Sequence, residues 1–150
     1  MSSEEVRTHT AVHILKGAVQ KVIGAKWTAS VYVSGNHGRL TVQYDRKPSE
    51  EELTKIEEAA NGKVAEGAEV LEFEMEKAEA EGHFGDAMYD LFPVPANVTL
   101  LKLVRIPEWN INCCNEFHVE STLQVGRIKL GTPRFRNSKR ELELEFDLVD

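Results

Sequence analysis

Two pairs of side chains carry the chemistry that this sequence offers. His9 and His13 stand four residues apart in THTAVHIL. On a helix that spacing puts both imidazoles on one face, about one turn apart, where they can share an ion. Cys114 and His118 form a second pair in NINCCNEFH, whose Asn residues favour a turn. They add a soft thiolate and a third imidazole. Each pair alone has a plainer explanation: a polar patch on a helix for the first, a small buried thiol beside an exposed histidine for the second. Together they make a set of four donors of the kind that zinc takes.

The residues around these pairs exclude some chemistry. Zinc peptidases also use histidines at i and i+4, but their HExxH motif needs a glutamate base directly after the first histidine. HTAVH has Thr10 there, which removes the peptidase reading. Cys113 lacks the spacing of Cys114 to His118 and is read as packing beside the metal, with an exchange of roles between the two thiols left open. His37 falls in the loop SGNHG and His83 precedes FGD; both are read as peripheral. Adjacent cysteines pair only through a strained ring, so no disulfide framework is implied.

The elements that must position these groups follow from periodicity. From Glu4 to Ile23, Val6, Ala11, Ile14, Leu15, Ala18, Val19 and Val22 recur at helical spacing, and Gly24 follows as a C-terminal cap, so an amphipathic helix is predicted to carry His9 and His13. Trp27–Val33 and Arg39–Tyr44 are rich in β-branched and aromatic residues and predict an antiparallel hairpin around SGNHG. Ser49, Glu50 and Glu51 after Pro48 start a second helix that runs to Gly67. Glu69–Met75 reads as a short strand, Glu76–Glu81 as a helical turn and HFGDAMYDLFPVP as an ordered loop. Val98–Ile106, Gln124–Leu130 and Glu141–Leu148 read as strands, the last with one exposed face. Two helices and about six strands give an α+β fold, a two-layer arrangement of helices packed against one antiparallel sheet.

Composition narrows the function classes. A chain of 150 residues is the size of one domain, so 1–150 is read as a single unit. Its longest apolar runs are far short of a membrane span. Acidic residues stand where a secretory signal is basic, so the expectation is a cytoplasmic protein with no membrane partner. The net charge of −7 speaks against a general DNA or RNA binder, whose affinity comes from neutralising phosphates. One basic region remains near the end: Arg127, Lys129, Arg134 and Arg136, followed by Lys139 and Arg140, with Lys16 and Lys21 on the first helix as additions.

THTAVHIL and CNEFH together resemble the paired HxxxH and CxxxH signatures of the editing domain of alanyl-tRNA synthetase, which also occurs alone as the trans-editing AlaX proteins; the short AlaX type is most similar. The resemblance covers nearly the whole chain, including LTVQYD, the acidic second helix, HFGDAMYD and STLQVGRI. It implies an editing-domain-like fold and a hydrolase that cleaves the ester of mischarged tRNA(Ala), chiefly seryl and also glycyl, while sparing alanyl-tRNA(Ala). It further implies zinc held by His9, His13, Cys114 and His118, with the ion either activating water or anchoring substrate. Two positions depart from the family: Val12 where the synthetase often has Thr, and Leu123 in place of the first Gly of its TGEIG stretch. Recognition of the serine hydroxyl then falls to Thr8, Thr10 or Thr122, near in sequence to the zinc motifs. Asp86 is the candidate to orient water or the substrate amine, Thr10 joins it as a catalytic candidate, and the Arg127–Arg136 cluster is the candidate tRNA contact. A monomer is the favoured state. The competing reading is a zinc-stabilised binding module without catalysis, in which four protein donors close the metal sphere.

Overall fold

The computed structural model describes residues 2–92 and 94–149, which leaves Met1, Asp150 and, within the HFGDAMYDLFPVP loop, Pro93 outside the described residues. The first helix, α1 (Ser3–Ile23), begins with a capping box: the Ser2 hydroxyl accepts the Glu5 N–H while the Glu5 carboxylate accepts the Ser2 N–H. It ends at Gly24, whose left-handed φ of 70° lets its N–H turn back to the Gln20 carbonyl. The hairpin follows as β1 (Thr28–Ser34) and β2 (His37–Gln43). The second helix, α2 (Glu50–Glu66), repeats the pattern with Ser49 and Glu52 at its start and Gly67 at its end.

The chain then forms β3 (Leu71–Glu76), a third helix α3 (Lys77–Phe84), β4 (Leu100–Ile106) and β5 (Asn110–Cys113). A single 3₁₀ turn at Thr122–Val125 leads into β6 (Arg127–Leu130), β7 (Arg134–Arg136) and β8 (Glu141–Val149). These strands make two antiparallel sheets, which corrects the expectation of one. The larger is ordered β1-β2-β8-β6 with β7 also on β8, and the smaller is β3-β4-β5. Strand β8 alternates as expected: Leu142, Leu144, Phe146 and Leu148 are buried, and Glu143, Glu145 and Asp147 lie on the other face.

Helix α1 differs from the sequence reading in its environment. Every residue from Thr8 to Val19 is buried, because the helix packs against β1 and β2, α2, β5 and the 3₁₀ turn at once. It is a central rod rather than an amphipathic surface helix. Val12 belongs to this core at 1% exposure, so the departure from the family there is a packing difference rather than a missing pocket hydroxyl. Gly17 is required by the same crowding: a Cβ there would lie 2.2 Å from Trp109 Nε1, which donates to the Ile14 carbonyl. A second core, around Ala80, Met88, Leu101 and Leu103, lies on the α3 side of the small sheet.

Candidate metal centre

The buried middle of α1 brings His9 and His13 to one place, with the His13 Nε2 atom 3.3 Å from His9 Nε2. The other pair arrives from the end of β5. The Cys114 N–H donates to the Lys102 carbonyl at 3.0 Å, which pins the turn to β4 and leaves the Cys114 sulfur 3.0 Å from His9 Nε2. After the turn, the Val119 N–H donates to the Thr10 hydroxyl at 3.1 Å, while that hydroxyl donates to the Val6 carbonyl. This bond ties the segment bearing His118 to α1. His118 then packs at a tilt against both other rings, with centroids 5.1 Å from His9 and 4.9 Å from His13.

One donor atom from each of His9, His13, Cys114 and His118 lies within 4.8 Å of the others. Around a tetrahedral ion with bonds of about 2.0–2.3 Å, such atoms are about 3.3–3.7 Å apart. The donor set therefore fits a single ion after small rotamer adjustments. Two further observations support the fit. The Nδ1 of His118 is bonded to the Glu72 carboxylate at 2.8 Å, and its buried Nε2 has no protein partner. That is the arrangement of a ligating histidine oriented by a carboxylate. All three imidazoles are also held neutral, as a metal requires. Burial, aided by the neighbouring His118, lowers His9 to about 4; burial and then His9 and His118 put His13 well below its ordinary value; and burial outweighs Glu72 in lowering His118. The Cys114 thiol is pushed up to about 11, chiefly by burial, so it ionises readily only with a cation beside it.

One of the four donors borders a cleft. Cys114 lines a cleft of about 340 Å³ together with Asp90, Phe92, Lys102, Cys113 and Asn115. Cys113 therefore faces the cleft but is not one of the four clustered donors. Asp90 is held by Lys16, which is 2% exposed and also donates to Asn112 Oδ1 at 2.9 Å; Asn112 Nδ2 in turn donates to Asp90 Oδ1 at 3.2 Å. Lys16 stands on the face of α1 that carries His9 and His13, at positions 9, 13 and 16. Lys16, which the sequence reading adds to the basic tRNA-facing residues, is instead buried and joins Asn112 and the partly exposed Asp90; only its helical register with the histidines signals this.

The remaining expected site residues lie elsewhere. Asp86 is exposed and paired with Lys26 at 2.8 Å, which holds its carboxyl below the usual range; it is Asp90, four residues on, that reaches the cleft. Thr8, Thr10 and Thr122 are each 0% exposed. The Thr8 hydroxyl bonds the Glu4 and Gly35 carbonyls, and that of Thr122 bonds the Lys63 carbonyl and the Ala68 N–H, so both hydroxyls are committed to the fold. Arg127, Lys129, Arg134 and Arg136 are exposed on β6 and β7. Across the ladder Lys129 faces Asp147, Arg134 faces Glu143 and Arg136 faces Glu141, with Arg136 Nε bonded to Glu143 at 2.9 Å. His37 opens β2 beside Asp147, and His83 lies in the last turn of α3 next to Phe84.

No protein-family model matches the chain. Its sequence is 34% identical over 148 residues to alanine–tRNA ligase of Methanopyrus kandleri, covering 93% of this chain and 16% of that protein. It is 34% identical over 128 residues to alanine–tRNA ligase of Pyrococcus abyssi and 36% identical over 126 residues to that of Staphylothermus marinus. Those matches cover 85% and 83% of this chain and 14% of each ligase. Among the described residues no helix is long and apolar enough to cross a membrane. This chain, with its buried His/Cys cluster able to hold a metal ion, is thus related in sequence over most of its length to a segment that makes up 14–16% of alanine–tRNA ligase.

Proposed function

We propose that this chain is a zinc-dependent hydrolase that removes serine from mischarged tRNA(Ala) and spares alanyl-tRNA(Ala). The observation that carries the reading is the cluster of four donors, one of which, Cys114, lines a cleft together with Asp90, in a chain similar to part of alanine–tRNA ligase. His9, His13, Cys114 and His118 would hold the ion. Bound zinc supplies Lewis-acid chemistry, polarising a carbonyl or lowering the pKa of a coordinated water to about 7.

The chain's own residues do the rest. Lys16 and Asn112 both bond Asp90 Oδ1, which fixes the carboxylate and leaves Oδ2 for the substrate's α-ammonium. That contact positions the ester carbonyl for water. Water adds to the carbonyl carbon, the bond to the ribose oxygen breaks, and the ribose oxygen regains a proton as free serine leaves.

Thr28 suits selection of serine. It is 3% exposed, its Oγ1 has no protein partner, and its carbonyl accepts the Leu91 N–H at 2.9 Å, next to Asp90. An unpaired buried hydroxyl costs about 1–3 kcal/mol, which a serine side chain relieves and an alanine side chain does not. A strand-start threonine gave no sign of this in the sequence.

The test is deacylation of seryl- and alanyl-tRNA(Ala) by zinc-loaded protein beside Cys114→Ala and Thr28→Ala. Loss of serine alone is expected, abolished by Cys114→Ala, with the seryl/alanyl preference narrowed about tenfold by Thr28→Ala. No cleavage by protein holding one zinc per chain would overturn the reading. The four protein donors, sufficient by themselves to close a tetrahedron, would then mark a structural zinc module.

A further inference from the structure

Phe117 occupies the turn between Cys114 and His118 and is 64% exposed. A single exposed ring is ordinary on a protein surface. This one has a cation beside it: Lys102 Nζ lies 5.1 Å from the ring centroid. Lys102 also lines the cleft that Cys114 opens onto, together with Asn115 and with Phe92, itself 70% exposed. The lip is anchored, because the Cys114 N–H bonds the Lys102 carbonyl and the Val119 N–H bonds Thr10. An exposed aromatic ring, with a cleft-lining lysine over one of its faces, therefore stands on anchored backbone beside the cleft. Cations lie over other rings as well, Lys26 over Trp27 and Arg39 over Tyr32, but those pairs do not line this cleft, whereas Lys102 does.

We propose that Phe117 and Lys102 receive the terminal nucleoside of the substrate's acceptor strand, the base stacking on the Phe117 ring and the adjoining phosphate meeting Lys102. The proposal rests on the deacylase reading and deepens it. An aminoacyl ester is carried on the ribose of the last nucleoside, so an ester delivered to the four-donor centre brings its base to the immediate surroundings of the cleft. Stacking on an aromatic face with a neighbouring cation is how proteins hold unpaired nucleotides. The Arg127–Arg136 cluster lacks such a face and is opposed by the acids of β8.

The experiment compares hydrolysis of 3′-O-seryl-adenosine and serine methyl ester by wild type, Phe117→Ala and Phe117→Trp, with zinc stoichiometry and solution mass measured on each. Phe117→Ala is expected to lower the ratio of kcat/KM for seryl-adenosine to that for the methyl ester about tenfold, through KM, while Phe117→Trp restores it. An unchanged ratio overturns the proposal. So does an equal loss on both esters with loss of zinc, which assigns the ring to placing His118, or a change in mass without a change in ratio, which assigns it to contact with a second copy. If wild type cleaves neither ester, the deacylase reading fails separately, and calorimetric titration with adenosine 5′-monophosphate decides. Saturable binding weakened about tenfold by Phe117→Ala supports the nucleoside site, and equal or absent binding overturns it.

Discussion

Each imidazole of the cluster uses its second nitrogen differently. His118 gives Nδ1 to Glu72, whose side chain is one-third exposed, whereas the buried Nδ1 of His13 has no protein partner. Glu72 is thus the group that fixes the His118 ring toward the other donors, and its removal leaves the core untouched. Glu72→Ala is expected to weaken zinc binding about 10–100-fold in competition with a chromophoric chelator, with little change in the urea midpoint of the metal-free protein. Acid should act on the same residues. In the metal-free fold His9 stays neutral down to about 4, while its ordinary value of 6.5 applies in the unfolded chain. The unfolded state therefore binds the extra proton first, so stability is full above 6.5 and falls as pH drops toward 4. A series of urea midpoints on chelated protein between about pH 7.5 and 4.5 checks this; a flat series would mean the histidines are more hydrated than the packing implies.

At the scale of elements, the contact between α1 and Trp109 puts two effects in opposition. Gly17→Ala favours the helix by up to about 1 kcal/mol in propensity. Its Cβ would strike the Trp109 ring, which must then leave the Ile14 carbonyl. Overpacking of this kind costs about 1–3 kcal/mol, so net destabilisation is expected by chemical denaturation. Thr10→Val tests the tie between α1 and the His118 segment: with the Val119 N–H left unpaired, a loss of about 1–3 kcal/mol and weaker zinc binding are expected together. The sequence made α1, α2, the hairpin and β8 legible because caps and periodicity are local signals. It also made all four donors legible, since i, i+4 spacing and a Cys/His turn are local too. The contacts of Asp90 with Lys16, of Thr28 with Leu91 and of Glu72 with His118 were not legible, because each joins residues far apart along the chain. The split into two sheets was hidden for the same reason: strand pairing is a non-local choice, and β5 read as a turn rich in Asn.

For the whole molecule, the larger sheet turns a mixed row of charges outward, with acids of β8 opposite the bases of β6 and β7. Arg134→Gln combined with Arg136→Gln is therefore expected to leave deacylation of seryl-tRNA(Ala) within about twofold, since exposed cross-strand pairs are worth little and are already neutralised. A rise in KM of tenfold or more would return the tRNA contact to that face. The two halves of the metal centre are far apart in sequence: His9 and Cys114, whose donor atoms touch, are 105 positions apart. An ion held there acts as a cross-link. Closing a loop of that length with a covalent bridge removes about 4–5 kcal/mol of chain entropy from the unfolded state, and a tightly bound ion imposes a similar restraint while it stays bound. The restraint also sets an order of events. A growing polypeptide emerges with its histidine helix first, but the site cannot close until His118 has left the ribosome, and Ile128 and the β8 residues that complete the core around α1 come later still.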